Sequence, residues 1–84
     1  MLTYVLKENN LPLYEQVYQY IKADILNGVL KPGEKLPSKR TFANHNGIST
    51  ITIQNAYDQL ISEGYIYTIP KKGYYVADIA KMGL

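Results

Sequence analysis

Residues 36–64, LPSKRTFANHNGISTITIQNAYDQLISEG, hold two helical patterns that meet across a three-residue corner. Ser38 stands where an N-cap belongs, because its hydroxyl can accept from the backbone amides that open a helix. Phe42 and Ala43 are the apolar residues of that first helix, and Asn46-Gly47 breaks it. Gly47 allows the sharp exit, since a residue without Cβ takes the left-handed conformation at little cost. Ile48 is then expected beneath the corner, with Ser49 capping a second helix. Ile53, Ala56, Tyr57, Leu60 and Ile61 follow at the spacing of one buried face, and Gly64 ends the run. A support helix, a glycine corner and a second helix with a free side form the layout of a helix-turn-helix. The free side of its second helix can enter a DNA major groove.

Charge is distributed in keeping with that layout. The formal net charge is only +2, so the total says little. Between residues 35 and 57, however, there is no Asp or Glu, while Lys35, Lys39, Arg40 and His45 are basic or can become so. A surface that meets phosphates requires this segregation, because each carboxylate there would repel the duplex. Chance also produces acid-free runs of this length, so the charge pattern supports the layout without establishing it.

The other constraints narrow the class. Eighty-four residues make one small domain with a limited core, a size at which oligomerisation often helps. The chain has no Cys, which removes disulfide scaffolds, thiolate zinc sites and cysteine nucleophiles. No apolar run approaches membrane-spanning length and no signal peptide is visible, so a cytoplasmic protein away from membranes is expected. Paired carboxylates, a Ser/His arrangement, a metal constellation and a phosphate-loop motif are all missing from the pattern, and no enzyme is expected. His45 has no second imidazole or thiol to share a metal with, which leaves it a surface or capping role. Nine Tyr stand against one Phe and no Trp; most are expected to pack with their hydroxyls in water.

Elsewhere the chain reads as follows. Residues 1–6, MLTYVL, have strand-like composition without a visible partner, and residues 1–10 are assigned to an N-terminal arm. Pro12 fits the first helical position, where its missing N–H costs nothing. Leu13, Val17, Ile21 and Ile25 recur every four residues, widened by Tyr14, Tyr20 and Leu26, which predicts an amphipathic helix of about four turns. Asn27-Gly28 ends it, Lys31-Pro32-Gly33 suits a type II turn, and Lys35-Leu36 can form a short strand. After Gly64 the period becomes two. Residues 65–69 and 74–77 read as strands joined by Pro70-Lys71-Lys72-Gly73. A hairpin with two lysines at its tip, directly behind a helix-turn-helix, suits a wing, though a solvated turn would look the same. Residues 78–84 show no pattern and are assigned to a linker or tail. The expected fold is mainly α with a small β-hairpin: three helices plus a two-stranded wing over residues 11–77, a winged helix-turn-helix.

Several motifs agree in order and spacing. They are Pro12-Leu13-Tyr14-Glu15-Gln16, the run from Gly28 through Lys31-Pro32-Gly33-Glu34-Lys35-Leu36-Pro37-Ser38-Lys39-Arg40, Gly47-Ile48-Ser49, and Glu63-Gly64-Tyr65-Ile66. On these the chain resembles the winged helix-turn-helix of GntR-type bacterial transcription regulators. Ala56-Tyr57-Asp58-Gln59-Leu60 and Gly73-Tyr74-Tyr75-Val76 are most similar to the MocR-type subfamily, with free-standing YtrA-type regulators next. The resemblance implies a DNA-binding module ahead of an effector or dimerisation domain. In MocR-type proteins that second domain resembles a fold-type I aminotransferase and binds pyridoxal phosphate. No such domain fits in this chain, so an excised N-terminal domain is expected, with an unusually short regulator as the alternative. No cofactor is expected in this domain.

The candidate DNA-binding residues follow. Arg40 matches the arginine of the family's Pro-Ser-x-Arg element and could reach a phosphate or, bidentately, a guanine edge. Its alternative is an exposed arginine paired with a nearby acid. Ser38 and Ser49 are phosphate candidates at helix N-termini, although capping alone explains them equally well. Lys35 and Lys39 are assigned to general attraction. Many relatives carry arginine after the corner serine; Thr50 departs from that. Thr50, Ile51, Thr52, Gln54 and Asn55 project away from the apolar stripe. Gln54 and Asn55 can pair with adenine edges and Ile51 can meet a thymine methyl, so A·T-containing half-sites are expected. The alternative has Ile51 packed on a neighbouring helix while Gln54 and Asn55 merely solvate the surface. Lys71, Lys72 and Gly73 form the wing tip, expected on phosphates or in the minor groove. The expected partner is double-stranded DNA, bound by a homodimer; the competing reading is a winged helix that docks proteins through its tyrosines.

Overall fold

Val17, Ile21 and Ile25 line one side of the first helix, α1 (Leu13–Leu26), and are withdrawn from water. The computed structural model describes Leu6 and residues 11–82. After α1 come α2 (Lys39–Asn46), α3 (Thr50–Ser62), β1 (Ile66–Ile69), β2 (Gly73–Val76) and a 3₁₀ turn at Ile79–Met82. Of the expected N-terminal arm, residues 1–5 and 7–10 lie outside the described residues; Leu6 lies partly buried against the core. No described helix is long and apolar enough to cross a membrane.

The stripe on α1 is rotated from its expected position. Tyr18, rather than Tyr20, is buried with Val17, Ile21 and Ile25, and Leu26 is 51% exposed. Helical rotation explains the second point: nine residues on from Val17 is about 180° around the axis. Pro12 also sits one position earlier than expected. It is the N-cap, and its carbonyl accepts from the amides of Glu15 and Gln16 at 3.1 and 3.2 Å. Pro12 has no side-chain acceptor to offer, and the buried Gln16 ties the entry down instead, donating from Nε2 to Leu11 O at 3.0 Å. At the other end of the bundle, the Tyr18 hydroxyl donates to Glu63 Oε1, just past α3. Burial and then that hydrogen bond push the Tyr18 hydroxyl above its ordinary pKa. The Tyr18 hydroxyl, followed by Gln59, holds the Glu63 carboxyl below the usual carboxylate range.

The glycine corner is as expected. Gly47 has φ 67° and ψ 32°, and the amides of Gly47 and Ile48 return to Asn44 O and Ala43 O. That pair of bonds satisfies carbonyls the helix leaves open. Helix α3 ends the same way, with Gly64 N on Ile61 O and Tyr65 N on Leu60 O at 2.9 Å. The Tyr65 amide is thereby committed to closing the helix, which is why β1 begins at Ile66 and not at Tyr65.

The β1 and β2 strands pair antiparallel in the register Ile66↔Val76, Tyr67↔Tyr75, Thr68↔Tyr74 and Ile69↔Gly73. The expected short strand at Lys35-Leu36 exists as a single bridge from Lys35 to Tyr75. It is reinforced by Leu36 N on Tyr74 O at 2.8 Å and Val76 N on Glu34 O at 2.9 Å. The in-out alternation implied by the two-residue period is not realised. Only Ile66 and Val76, at the root of the ribbon, are buried; Tyr74 is half-buried against the core, and β1 beyond Ile66 is exposed. The patternless tail also gains structure: Asp78 Oδ1 accepts from Ala80 N at 3.2 Å, opening the 3₁₀ turn, and Ile79 packs against the core.

Tyr57 joins these parts. It is fully buried on α3, its ring edge-on to Phe42 of α2 at 6.1 Å and tilted against Tyr74 of β2 at 4.7 Å. Its hydroxyl does not reach water; it donates to Pro37 O at 2.8 Å, immediately ahead of α2.

Two stability measurements check this account. Tyr57→Phe keeps the ring contacts but leaves Pro37 O without its donor, and should cost about 1–2 kcal/mol. In urea unfolding that appears as a lower midpoint at unchanged slope; an unchanged midpoint would mean that water replaces the donor. Gly47→Ala should cost about 1–2 kcal/mol of left-handed strain, with Gly47→Asn costing less. No neighbouring atom lies within 4 Å of a Cβ built there, so crowding contributes nothing.

Candidate nucleic-acid interface

Both helices of the corner start on a serine whose hydroxyl is already engaged. Ser38 Oγ accepts from Thr41 N at 3.2 Å and donates to Thr41 Oγ1 at 2.8 Å. Ser49 Oγ likewise accepts from Thr52 N at 3.2 Å and shares a hydrogen bond with Thr52 Oγ1 at 2.8 Å. The serines and threonines therefore act as caps. What the helix starts retain for an anion is the backbone amides of their first residues and the positive end of the helix dipole. Thr41 was not singled out by sequence reasoning, although Ser-x-x-Thr is spelled twice at the same offset from a helix start.

On α3 the outward side is as expected. Thr50, Ile51 and Asn55 are exposed, Thr52 and Gln54 are half-buried, and Ile51 is 66% exposed. Ile51 therefore does not pack on a neighbouring helix. Gln54 does more than solvate the surface: its Oε1 accepts from Lys39 Nζ of α2, and its Nε2 donates to Asp58 Oδ1 at 2.9 Å. This directs the Lys39 ammonium, assigned to general attraction, to α3. It also brings in Asp58, the first acid after the acid-free run, whose i, i+4 spacing from Gln54 is the signal that could have found it.

Arg40 lies exposed in the first turn of α2, and its side chain forms no ion pair or hydrogen bond with another described residue. No acid among the described residues occupies it. His45 is exposed in the last turn of α2.

The hairpin ends in a tight turn closed by Lys72 N on Ile69 O at 3.0 Å. Lys71 takes φ 64° within it, a left-handed conformation that costs a non-glycine residue about 1–2 kcal/mol. Lys71 and Lys72 are both exposed at that end. Gly73 follows the turn as the first residue of β2. A Cβ there would come within 3.1 Å of Lys35 Cε, so Gly73 makes room for the Lys35 stem at φ 133°. Lys35 itself bridges to β2 and contributes its ammonium beside the wing. An open groove of about 600 Å³ runs between the α2 cap and the hairpin, with Lys35, Ser38, Thr41, Lys72, Gly73 and Tyr74 along it. The fold thus brings the capping serine of α2 and the wing lysine, 34 positions apart in the chain (72 − 38), to the walls of one depression.

Together these elements present one helix side of hydrogen-bonding and methyl-contacting groups, with cationic groups on α2, beside β2 and at the hairpin tip. Such a surface can grip a polyanion and read base edges at once.

Comparison with known proteins agrees with the geometry. Residues 13–76 match the family described as bacterial regulatory proteins, gntR family. The chain is 46% identical over 66 residues to the HTH-type transcriptional regulator YdeL of Bacillus subtilis, covering 79% of this chain and 14% of that protein. It is 41% identical over 73 residues to the transcriptional repressor YtrA of Bacillus subtilis, covering 87% and 56% respectively. It therefore spans less than two thirds of either relative. Among solved structures, the AraR DNA-binding domain in complex with operator ORE1 superposes with a TM-score of 0.76 at 31% identity, covering 92% of this chain and 94% of that one. With the three helices, the paired hairpin and the match over residues 13–76, the chain belongs to the gntR family of bacterial regulatory proteins.

Proposed function

We propose that this chain is the DNA-binding domain of a bacterial transcription regulator, reading double-stranded DNA with α3 in the major groove and the wing on the backbone or in the minor groove. One observation carries the reading. The exposed side of α3 bears Thr50, Ile51 and Asn55, with Gln54 held beside them, and it lies in a segment free of acids from residue 35 to 57. The operator complex of the AraR domain supports it. Arg40, the α2 and α3 starts, Lys35, Lys71 and Lys72 provide phosphate contacts, while α3 provides base contacts. With Thr50 where many relatives carry arginine, the strong bidentate guanine contact is absent there. The remaining groups favour adenine edges and thymine methyls, so A·T-containing half-sites are preferred.

One domain of this size touches few base pairs, so two copies bind a repeated or palindromic site. The cell compartment that suits this work is the cytoplasm. For the parent regulator we favour the MocR-type arrangement, on the spelling of residues 56–60 and 73–76 and on the small fraction of YdeL that this domain represents. That arrangement would join it to an aminotransferase-like domain holding pyridoxal phosphate; no residue of this chain is assigned to that cofactor. The match to YtrA makes a YtrA-type regulator the rival. The coding sequence beyond Leu84 separates them: a continuation with a Schiff-base lysine supports the first, and a stop codon overturns it.

Titrating a labelled duplex into the 84-residue chain at several salt concentrations tests the main reading. Absence of binding even at low salt would leave a protein-docking module instead. Replacing both Lys71 and Lys72 by Ala should weaken binding to all sequences alike and reduce the log–log salt slope by about 1–2. An unchanged slope would remove the wing from the interface. Selection from a randomised duplex pool should enrich A·T-containing half-sites, and enrichment of purely G·C half-sites would overturn the assignment of the α3 contacts.

A further inference from the structure

Gln54 is held from both ends by groups that each tolerate one orientation of its carboxamide. The Lys39 ammonium can only donate, and it faces Oε1. The Asp58 carboxylate can only accept, and it faces Nε2 at 2.9 Å. Turning the amide over would set NH₂ against NH₃⁺ and a carbonyl oxygen against a carboxylate. A glutamine's terminal torsion is otherwise broad, so an unrestrained Gln54 would sample both orientations. Lys39 and Gln54 are also half-buried, where a hydrogen bond to a charged group counts for more than on an open surface.

After these two bonds Gln54 keeps one lone pair on Oε1 and one N–H on Nε2. Adenine presents the complementary pair in the major groove, an N6–H donor beside the N7 acceptor. Guanine presents two acceptors, N7 and O6, and leaves Oε1 without a donor. The order matters as well. The acceptor end of Gln54 lies toward α2 and the donor end toward the next turn of α3. Reversing an A·T pair to T·A moves the adenine N7 to the opposite side of the groove and puts the thymine methyl in its place.

We infer that Lys39 and Asp58 are positioning residues that fix the polarity of the Gln54 carboxamide, so that the protein tells A·T from T·A at one base pair. The inference rests on the adenine-reading role of Gln54 proposed above. It also accounts for an acid at the end of an otherwise acid-free face: Asp58 holds the donor end of the reader. Removing either restraint lets the amide turn, so the variants should still prefer adenine over guanine but lose the distinction between strands.

The test uses the 84-residue chain and four duplexes with identical flanks taken from the wild-type selection. They differ only at the base pair where Gln54→Ala changes the preference, which is set to A·T, T·A, G·C or C·G. The wild type should favour one orientation of the A·T pair about tenfold, within what a bidentate contact supplies. Lys39→Met and Asp58→Ala should each reduce that ratio to about twofold while retaining adenine over guanine, and Lys39→Arg, which keeps a cationic donor, should restore it. If Lys39→Met lowers all four affinities by one factor and reduces the salt slope by about 1, Lys39 is a backbone charge. If Asp58→Ala also leaves the ratio intact, the inference is overturned while the adenine reading stands. Should Gln54→Ala select the same sequences as the wild type, the adenine reading falls and takes the inference with it.

Discussion

The placement of the reading helix depends on the buried Tyr57. Its ring stands between Phe42 of α2 and Tyr74 of β2, and its hydroxyl closes on Pro37 O at the approach to α2. One side chain thus sets α3 against both the support helix and the root of the wing. A phenylalanine of the same shape would satisfy the packing but not the carbonyl. Burial, assisted by the neighbouring Tyr74, pushes the Tyr57 hydroxyl far above the ordinary tyrosine pKa, so it remains a donor wherever the protein is folded. The hydrogen bond is therefore insensitive to ordinary changes of pH.

Around that joint the polar groups divide into two sets. Those that build the fold are satisfied within it: the two serine caps, the amides that close α2 and α3, the Lys35 bridge, and the Gln16 tie at the start of α1. No described buried side-chain nitrogen or oxygen lacks a partner. Outside that set, Arg40, Thr50, Ile51, Asn55, Lys71 and Lys72 have exposed side chains. The separation has a physical basis. Groups committed inside hold the shape of the surface, so that shape does not have to form when a ligand binds. Lys71 is the exception, a left-handed lysine held at the hairpin end at some cost in backbone strain.

Much of this was legible from local pattern. The two capping serines, the glycine corner and the stripe from Ile53 to Leu60 each specify their element through nearest-neighbour chemistry, and the structure places them there. Where the reading went wrong, a distant partner had intervened. The stripe of α1 turned toward Tyr18 because Glu63 and α3 lie on that side. Strand β1 lost Tyr65 because the end of α3 claims its amide. The hairpin lacks an alternating buried face because beyond its root only Tyr74 packs on the core, and residues 79–82 form a turn with Ile79 against that core. At the hairpin end, the closeness of Gly73 to the Lys35 stem joins residues 38 positions apart (73 − 35) and leaves no local signal.

The sequence by itself determined the three helices and the hairpin, the serine caps of α2 and α3, the corner between them, and the side of α3 that stays polar. All of these follow from spacings of a few residues, within reach of helix period and hydrogen-bond geometry. Tertiary structure alone decided that Lys39 reaches across to Gln54, that the α2 cap and the wing lysine border one groove, and that Tyr57 finds its acceptor 20 residues back along the chain. These contacts join segments whose separation in sequence carries no period. Only the packing of α3 against α2 and β2 brings them within hydrogen-bonding range.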